Sequence, residues 1–218
     1  MKKYTHAFTV LELLLALLLS GLLCSAIIAL LGTFEQLHAR EITIIHANTD
    51  MRFLTAFLRR HIQEAGNASC VRTSPKPSGL IVKIEDAQQA LLSFNVKIKP
   101  NSQLLLLTEC VKLHDVEQYL PVLFFVAKTG RHHPDGSEVD ALFLKMDHHR
   151  REEFVTDVSD FQLQLHAHYV SVRYVLSSQN FRRSTPETYW FNGVQKTARD
   201  TASYQSGVID AVIRNTIG

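Results

Sequence analysis

A chain of 218 residues holds enough material for one ordinary domain beyond any membrane segment, and its 23 Lys and Arg against 21 Asp and Glu leave it two charges from neutral. So even a balance excludes a nucleic-acid polyanion as the main partner, because phosphate binding needs a clustered positive surplus. The chain has no Gly-x-Ser-x-Gly, no phosphate-binding Gly-rich loop and no His-Glu-x-x-His, so no such motif assigns it an enzymatic role.

The first stretch, MKKYTHAFTVLELLLALLLSGLLCSAIIALLGTFEQ, organises the rest. From Val10 to Phe34 the only charged residue is Glu12. Leu13 to Leu31 alone gives about 28 Å of helix at ~1.5 Å per residue, close to the ~30 Å hydrocarbon core of a bilayer, which predicts a membrane-spanning helix. Lys2 and Lys3 precede it, so the basic end is expected to stay cytoplasmic and everything after Glu35 to lie on the far side. The apolar run exceeds the ~7–15 residues of a secretory signal core, and Leu23 before Cys24 is too large for a lipoprotein signal. A carboxylate inside a bilayer costs ~2.5–3.5 kcal/mol, so Glu12 either finds a partner there or reaches from the helix end to the cytoplasmic headgroups.

His6-Ala7-Phe8-Thr9-Val10-Leu11-Glu12-Leu13-Leu14, a short basic leader joined directly to an apolar helix with Glu at its fifth residue, resembles the processing site of type IV prepilins. The resemblance implies that residues 1–7 are a leader peptide. It also implies that a prepilin peptidase cuts between Ala7 and Phe8 and methylates the new Phe8 amine. Glu12 would then meet the terminal amine of a neighbouring subunit's Phe8 during assembly, a charge-assisted contact in low-dielectric surroundings. Ala7 stands where the family usually has Gly, and Ala is the nearest substitute in size. Loss of the leader would remove Lys2 and Lys3 and leave 21 basic against 21 acidic residues.

Beyond the apolar run the helical period continues while the polarity changes. Phe34, Leu37, Ile44, Met51, Leu54, Leu58, Ile62 and Ala65 recur at helical spacing, Glu41, Arg52, Arg59, Arg60 and Glu64 occupy other faces, and Gly66-Asn67 supplies a stop. One helix from Phe8 to Ala65 is expected, with a membrane half over 8–34 and an amphipathic half over 35–66 whose apolar stripe must be covered. Residues 67–218 supply the cover as a β-rich head. Strands are expected at Leu80–Ile84, Leu91–Ile98, Gln103–Val111, Val122–Ala127, Glu138–Lys145, Phe161–His168, Val170–Leu176 and Val208–Arg214. Turn signals lie at Ser74–Gly79, Pro100-Asn101 and Gly130–Gly136. Alternation such as Phe161-Gln162-Leu163-Gln164-Leu165 predicts an antiparallel sheet with one wet face, hence an α+β fold.

Of the three cysteines, Cys24 falls in the membrane helix, where it reads as a small apolar packing residue, and Cys70 and Cys110 lie beyond it. Only these two can meet an oxidising compartment. Their pairing would close a loop of about 40 residues, worth ~4 kcal/mol on the chain-entropy model.

Two further stretches are similar to minor pilins of the PilW type. Arg52-Phe53-Leu54, Arg59-Arg60-His61-Ile62, Ala65-Gly66 and Cys70 resemble the end of that family's spine helix. Val158–Gln164, Val172-Arg173-Tyr174-Val175-Leu176 and Val212-Ile213-Arg214-Asn215 resemble its sheet and C-terminal end. The resemblance implies a type IV pilin-like fold and a protein of the inner membrane with a periplasmic head. Its partners would be the prepilin peptidase, other minor pilins and the major pilin, with which it initiates or caps a pilus. Pseudopilins of type II secretion share the same spine and remain an alternative, as does, in a different class, a membrane-anchored periplasmic binding protein or enzyme. No catalytic residue, cofactor, metal or nucleic-acid partner is expected. Among the eleven histidines, His166 and His168 are expected on one face of a strand, and His132-His133 and His148-His149 in polar loops, without accompanying Cys or carboxylate spacing. Asp135–Asp140 reads as a turn, and the basic pairs Arg59-Arg60, Arg150-Arg151 and Arg182-Arg183 read as solvated surface.

Overall fold

The computed structural model describes residues 10–67, 70, 82–113, 116–133, 136–146, 150–178, 188–197 and 203–214. Ala7, Phe8, the turn at Ser74–Gly79, His148-His149 and Arg182-Arg183 lie outside the described residues. The chain forms two compact units, Met1–Ile44 and Ile45–Gly218. In the first, α1 (Val10–Glu64) begins, and it continues without interruption into the second. Over Val10–His38 it is long and apolar enough to cross a membrane. The few hydroxyls of this stretch are satisfied by the helix itself, with Ser20, Ser25 and Thr33 donating to the carbonyls of Leu17, Leu22 and Leu30 at 2.7–2.9 Å. That arrangement suits a medium without water.

In the second unit, α1 ends as expected. Gly66 takes φ +68°, a left-handed conformation that costs Gly little, and its N–H donates to Thr108 O at 2.7 Å. Leu54, Leu58, Ile62 and Ala65 are fully buried, while Arg52, Arg59, Arg60 and Glu64 are exposed. The rest of the unit is antiparallel β-structure with one short helix. β1 (Val82–Glu85), β2 (Leu104–Leu113), β3 (Val116–His132), β4 (Glu138–Met146) and β5 (Glu152–Thr156) form a five-stranded sheet in sequence order. β6 (Val158–Leu165), β7 (Tyr169–Ser178) and β10 (Ser203–Val212) form a second sheet in the order β10-β7-β6. β8 (Thr188–Phe191) and β9 (Val194–Thr197) form a hairpin.

The head is therefore α+β, but the expected single sheet is corrected to two, and the one wet face fails for the first of them, while the alternation Phe161-Gln162-Leu163-Gln164 is kept in β6, with Phe161 and Leu163 buried and Gln164 exposed. One core joins the α1 stripe to Leu105, Leu107, Val122, Phe124 and Val126 of the first sheet and to Phe161, Leu163, Val172, Tyr174 and Ile209 of the second. The intervening Leu123, Phe125 and Ala127 face the other way, into a second core with Ala90, Val96 and Ile98. The unbroken apolar run Val122–Ala127 is the mark of a strand buried on both faces.

The expected strand Leu91–Ile98 is also corrected. α2 (Ala87–Phe94) occupies its first half, because Asp86 caps the N–H groups of Gln88 and Gln89 at 3.0 and 2.9 Å, and Asn95 closes the helix at φ +51°. Val96 and Ile98 are buried beyond the helix end. β5, β8 and β9 were not expected. β3 runs from Val116, well before Val122, and continues through Gly130 to His132, and β10 starts at Ser203 rather than Val208. His166 and His168 lie between β6 and β7 rather than on a strand, with the His166 ring stacked on Tyr169 at 4.2 Å.

Tyr174 shows how the second sheet is fitted to the helix. Its ring lies across Gly207, its register partner on β10, and its hydroxyl, pointed at α1, is 3.0 Å from Thr55 Oγ1 and donates to Met51 O at 3.2 Å. A Cβ at Gly207 would fall 2.3 Å from Tyr174 Cζ, so this position needs Gly for space. Gly207→Ala is expected to lower stability by ~1–3 kcal/mol through overpacking, and Tyr174→Phe by about 1 kcal/mol through the lost hydrogen bonds. Thermal unfolding of the two variants checks the order, and an unchanged Gly207→Ala would refute the steric account.

Candidate functional site

The positions singled out by sequence fall in two places. Glu12 lies in the first described turn of α1 and is exposed within the single chain, as are the Leu and Ile side chains around it. Cys24 is a free, exposed thiol on the same apolar segment. The expected cleavage junction Ala7-Phe8 lies outside the described residues.

The second place is the C-terminal end of α1. The disulfide Cys70–Cys110 is formed, as expected. It is one of four ties to the same short piece of sheet. Gly66 N–H reaches Thr108, just past the Leu104–Leu107 segment that β1 pairs. Tyr119, the register partner of Cys110, donates its hydroxyl to Asn67 O at 2.8 Å. His61 Nδ1 lies 2.7 and 2.9 Å from the two carboxylate oxygens of Glu109, with its ring packed against Phe57 and Phe124 at centroid distances of 4.2 and 5.4 Å. A carboxylate only accepts, so Nδ1 is the donor in this bond. Glu109 is 6% exposed, and removing either partner would strand the other in apolar surroundings. Sequence reasoning passed over His61 and Glu109 as a pair. The signal was a lone carboxylate in the apolar strand Leu104–Leu113, the same anomaly that drew attention to Glu12.

Among the described residues no group of three or more His, Cys, Asp or Glu is placed to hold a metal ion. His132 ends β3. His133 Nε2 stands 3.0 Å from Asp157 Oδ1, but that oxygen, although buried, has no hydrogen bond. Burial pushes the Asp157 carboxyl above its ordinary value, Asp50 adds to the push, and His133, Thr156 and Arg131 oppose it. Desolvation is the largest of these effects, and it prevails. Asp157 also sits at φ +62°, a conformation that Asn tolerates equally well.

Comparison of the chain with protein-family models, with curated proteins and with solved structures finds no match.

A carboxyl with a raised native pKa binds its proton more tightly folded than unfolded. Its contribution is present below the ordinary carboxylate pKa of 3.8 and is lost as pH rises through the raised native value. Asp157→Asn removes that titration. The stability of native protein relative to Asp157→Asn should therefore fall as pH is raised above about 4, and at neutral pH the variant should be at least as stable. Denaturant unfolding at pH 4 and pH 7 measures the difference, and a variant weakened by the same amount at both pH values would show that the His133 contact outweighs burial.

Proposed function

We propose that this chain is a minor pilin of the PilW type, processed by a prepilin peptidase between Ala7 and Phe8 and joined to other minor pilins and the major pilin to initiate or cap a type IV pilus. On this reading it is the substrate of a processing enzyme rather than an enzyme, held in the inner membrane by α1 with its head in the periplasm. The observation that carries the reading is Glu12, the sole charged residue between Val10 and Phe34 and the fifth residue after the Ala7-Phe8 junction. A plain membrane anchor has no use for a carboxylate that costs ~2.5–3.5 kcal/mol to insert, whereas assembly gives it a cationic partner in the Phe8 amine of a neighbour. The continuity of α1 from an apolar segment into a partly buried one, and an antiparallel head with a disulfide, support the same layout.

N-terminal analysis of the protein from membranes should find Phe8 first, and methylated. Recovery of Met1 would defeat the reading. Ala7→Leu should leave full-length precursor in the membrane, because a peptidase adapted to small residues meets a bulky one, while Ala7→Gly should be cut at least as well as the native chain.

Glu12→Gln keeps size and removes charge. Membrane level and leader removal should stay normal, while recovery with partner subunits falls by more than tenfold, since truncating one member of a buried charge pair costs ~2–5 kcal/mol. Partner recovery and pilus number equal to native would show that the carboxylate is only a helix-end residue.

A further inference from the structure

Beside α2 the head carries a cleft of about 440 Å³ on the side of the five-stranded sheet remote from the α1 stripe. Its wall is basic. Lys97 comes from the segment after α2, Lys145 from β4, and Arg150 and Arg151 from the approach to β5, over a floor that includes Val96 and Phe125. No carboxylate lines it among the described residues. Carboxylates on the adjoining strands are engaged elsewhere, Glu153 with Arg131 and Asp140 with Lys99, and Glu152 is exposed on the edge strand β5.

Two of the four cations are held in place. The Arg151 guanidinium carbon stands 4.5 Å from the centroid of the Phe143 ring, and Lys145 donates to Phe94 O, the last carbonyl of α2, at 3.3 Å. Stacking leaves the guanidinium edge free to bond outward, and Lys145 keeps two N–H donors after its one bond to Phe94. Four like charges around one opening repel one another unless an anion or solvent ions screen them, and two guanidinium forks match the paired oxygens of a phosphoryl group. The volume falls in the range of small-molecule sites.

We propose that this cleft binds a phosphoryl group through Lys97, Lys145, Arg150 and Arg151. The site lies on the head and does not depend on the pilus reading. The group belongs either to a small soluble phosphate compound or to a lipid headgroup.

The test uses the full chain in neutral detergent for soluble inorganic pyrophosphate, measured by calorimetry. A parallel arm uses the chain in vesicles of phosphatidylcholine with or without phosphatidic acid, where exposure of the Lys97 and Arg150 region is read by hydrogen exchange. Arg150→Gln/Arg151→Gln is compared with Arg52→Gln/Arg59→Gln, which removes the same charge from exposed positions on α1. Lys97→Gln/Arg150→Gln leaves the Arg151–Phe143 contact intact and guards against a packing effect. Saturable pyrophosphate binding, weakened at least tenfold by both cleft variants and less than twofold by the helix variant, establishes a soluble phosphate ligand. Protection on phosphatidic acid alone, abolished by the cleft variants only, establishes a lipid headgroup. Absence of binding in both arms, or equal loss in the cleft and helix variants, overturns the proposal.

Discussion

An apolar stripe on a helix cannot stand in water, and Leu54, Leu58 and Ile62 of α1 form such a stripe, completely buried in the head together with Ala65 just past its end. Each large side chain withdrawn from water contributes ~1.5–3 kcal/mol, so covering the stripe dominates the arrangement of the strands C-terminal to it. One strand layer does not suffice. The five-stranded sheet supplies Phe124 and its neighbours, the three-stranded sheet supplies Tyr174, Phe161 and Ile209, and the helix residues pack with both sets in a single core. The two sheets are tied directly as well: Gln103 Oε1 accepts from Leu163 N–H at 2.7 Å, and Lys99 bridges Asp140 and Ser159 O at 2.7 Å each. Because the first sheet is apolar on both sides, α2 and the segment after it are needed to close its far face.

The helix and its end were legible in the sequence, since an apolar stripe at helical spacing, an absence of Pro and Gly from Thr33 to Ala65, and Gly66 at the stop are local signals. The pairing of Cys70 with Cys110 was legible from where the third cysteine sits. What escaped was mostly set by competition between local signals. Leu91–Ile98 looks β-prone until Asp86 and Asn95 are read as caps, and those two residues decide for a helix. The β8–β9 hairpin turns at Asn192-Gly193, both at positive φ, and that dipeptide is a strong hairpin signal that was left unread between polar stretches. The hairpin is joined to the sheet by bonds of Tyr189 and Lys196 to Asp160 and of Arg173 to Asn192, none of which spacing alone could disclose.

Sites divide along the same line. Glu12 stands out in one dimension, because a lone carboxylate in an apolar run is anomalous before any fold is known. Glu109 is anomalous in its strand, but His61 is unremarkable alone, and the two become a buried pair only when α1 is laid on β2. Arg150 and Arg151 look like ordinary surface until the order β3-β4-β5 and the end of α2 bring Lys145 and Lys97 to the same opening. Residues that act through non-local neighbours are hidden from a linear reading for that reason.

The bridge Cys70–Cys110 has a mechanical side. Tension entering the head through α1 reaches Cys70 within six residues of the helix end at Glu64 and can cross the covalent bond to Cys110 near the end of β2. The covalent path through the bridge then bypasses residues 71–109, which include β1, α2, the capped turn at Asp86 and the first part of β2. Past the bridge, a pull along the helix would be borne by β2 and β3 through their antiparallel register from Cys110 to Leu113, and the covalent path leaves out β1 and α2.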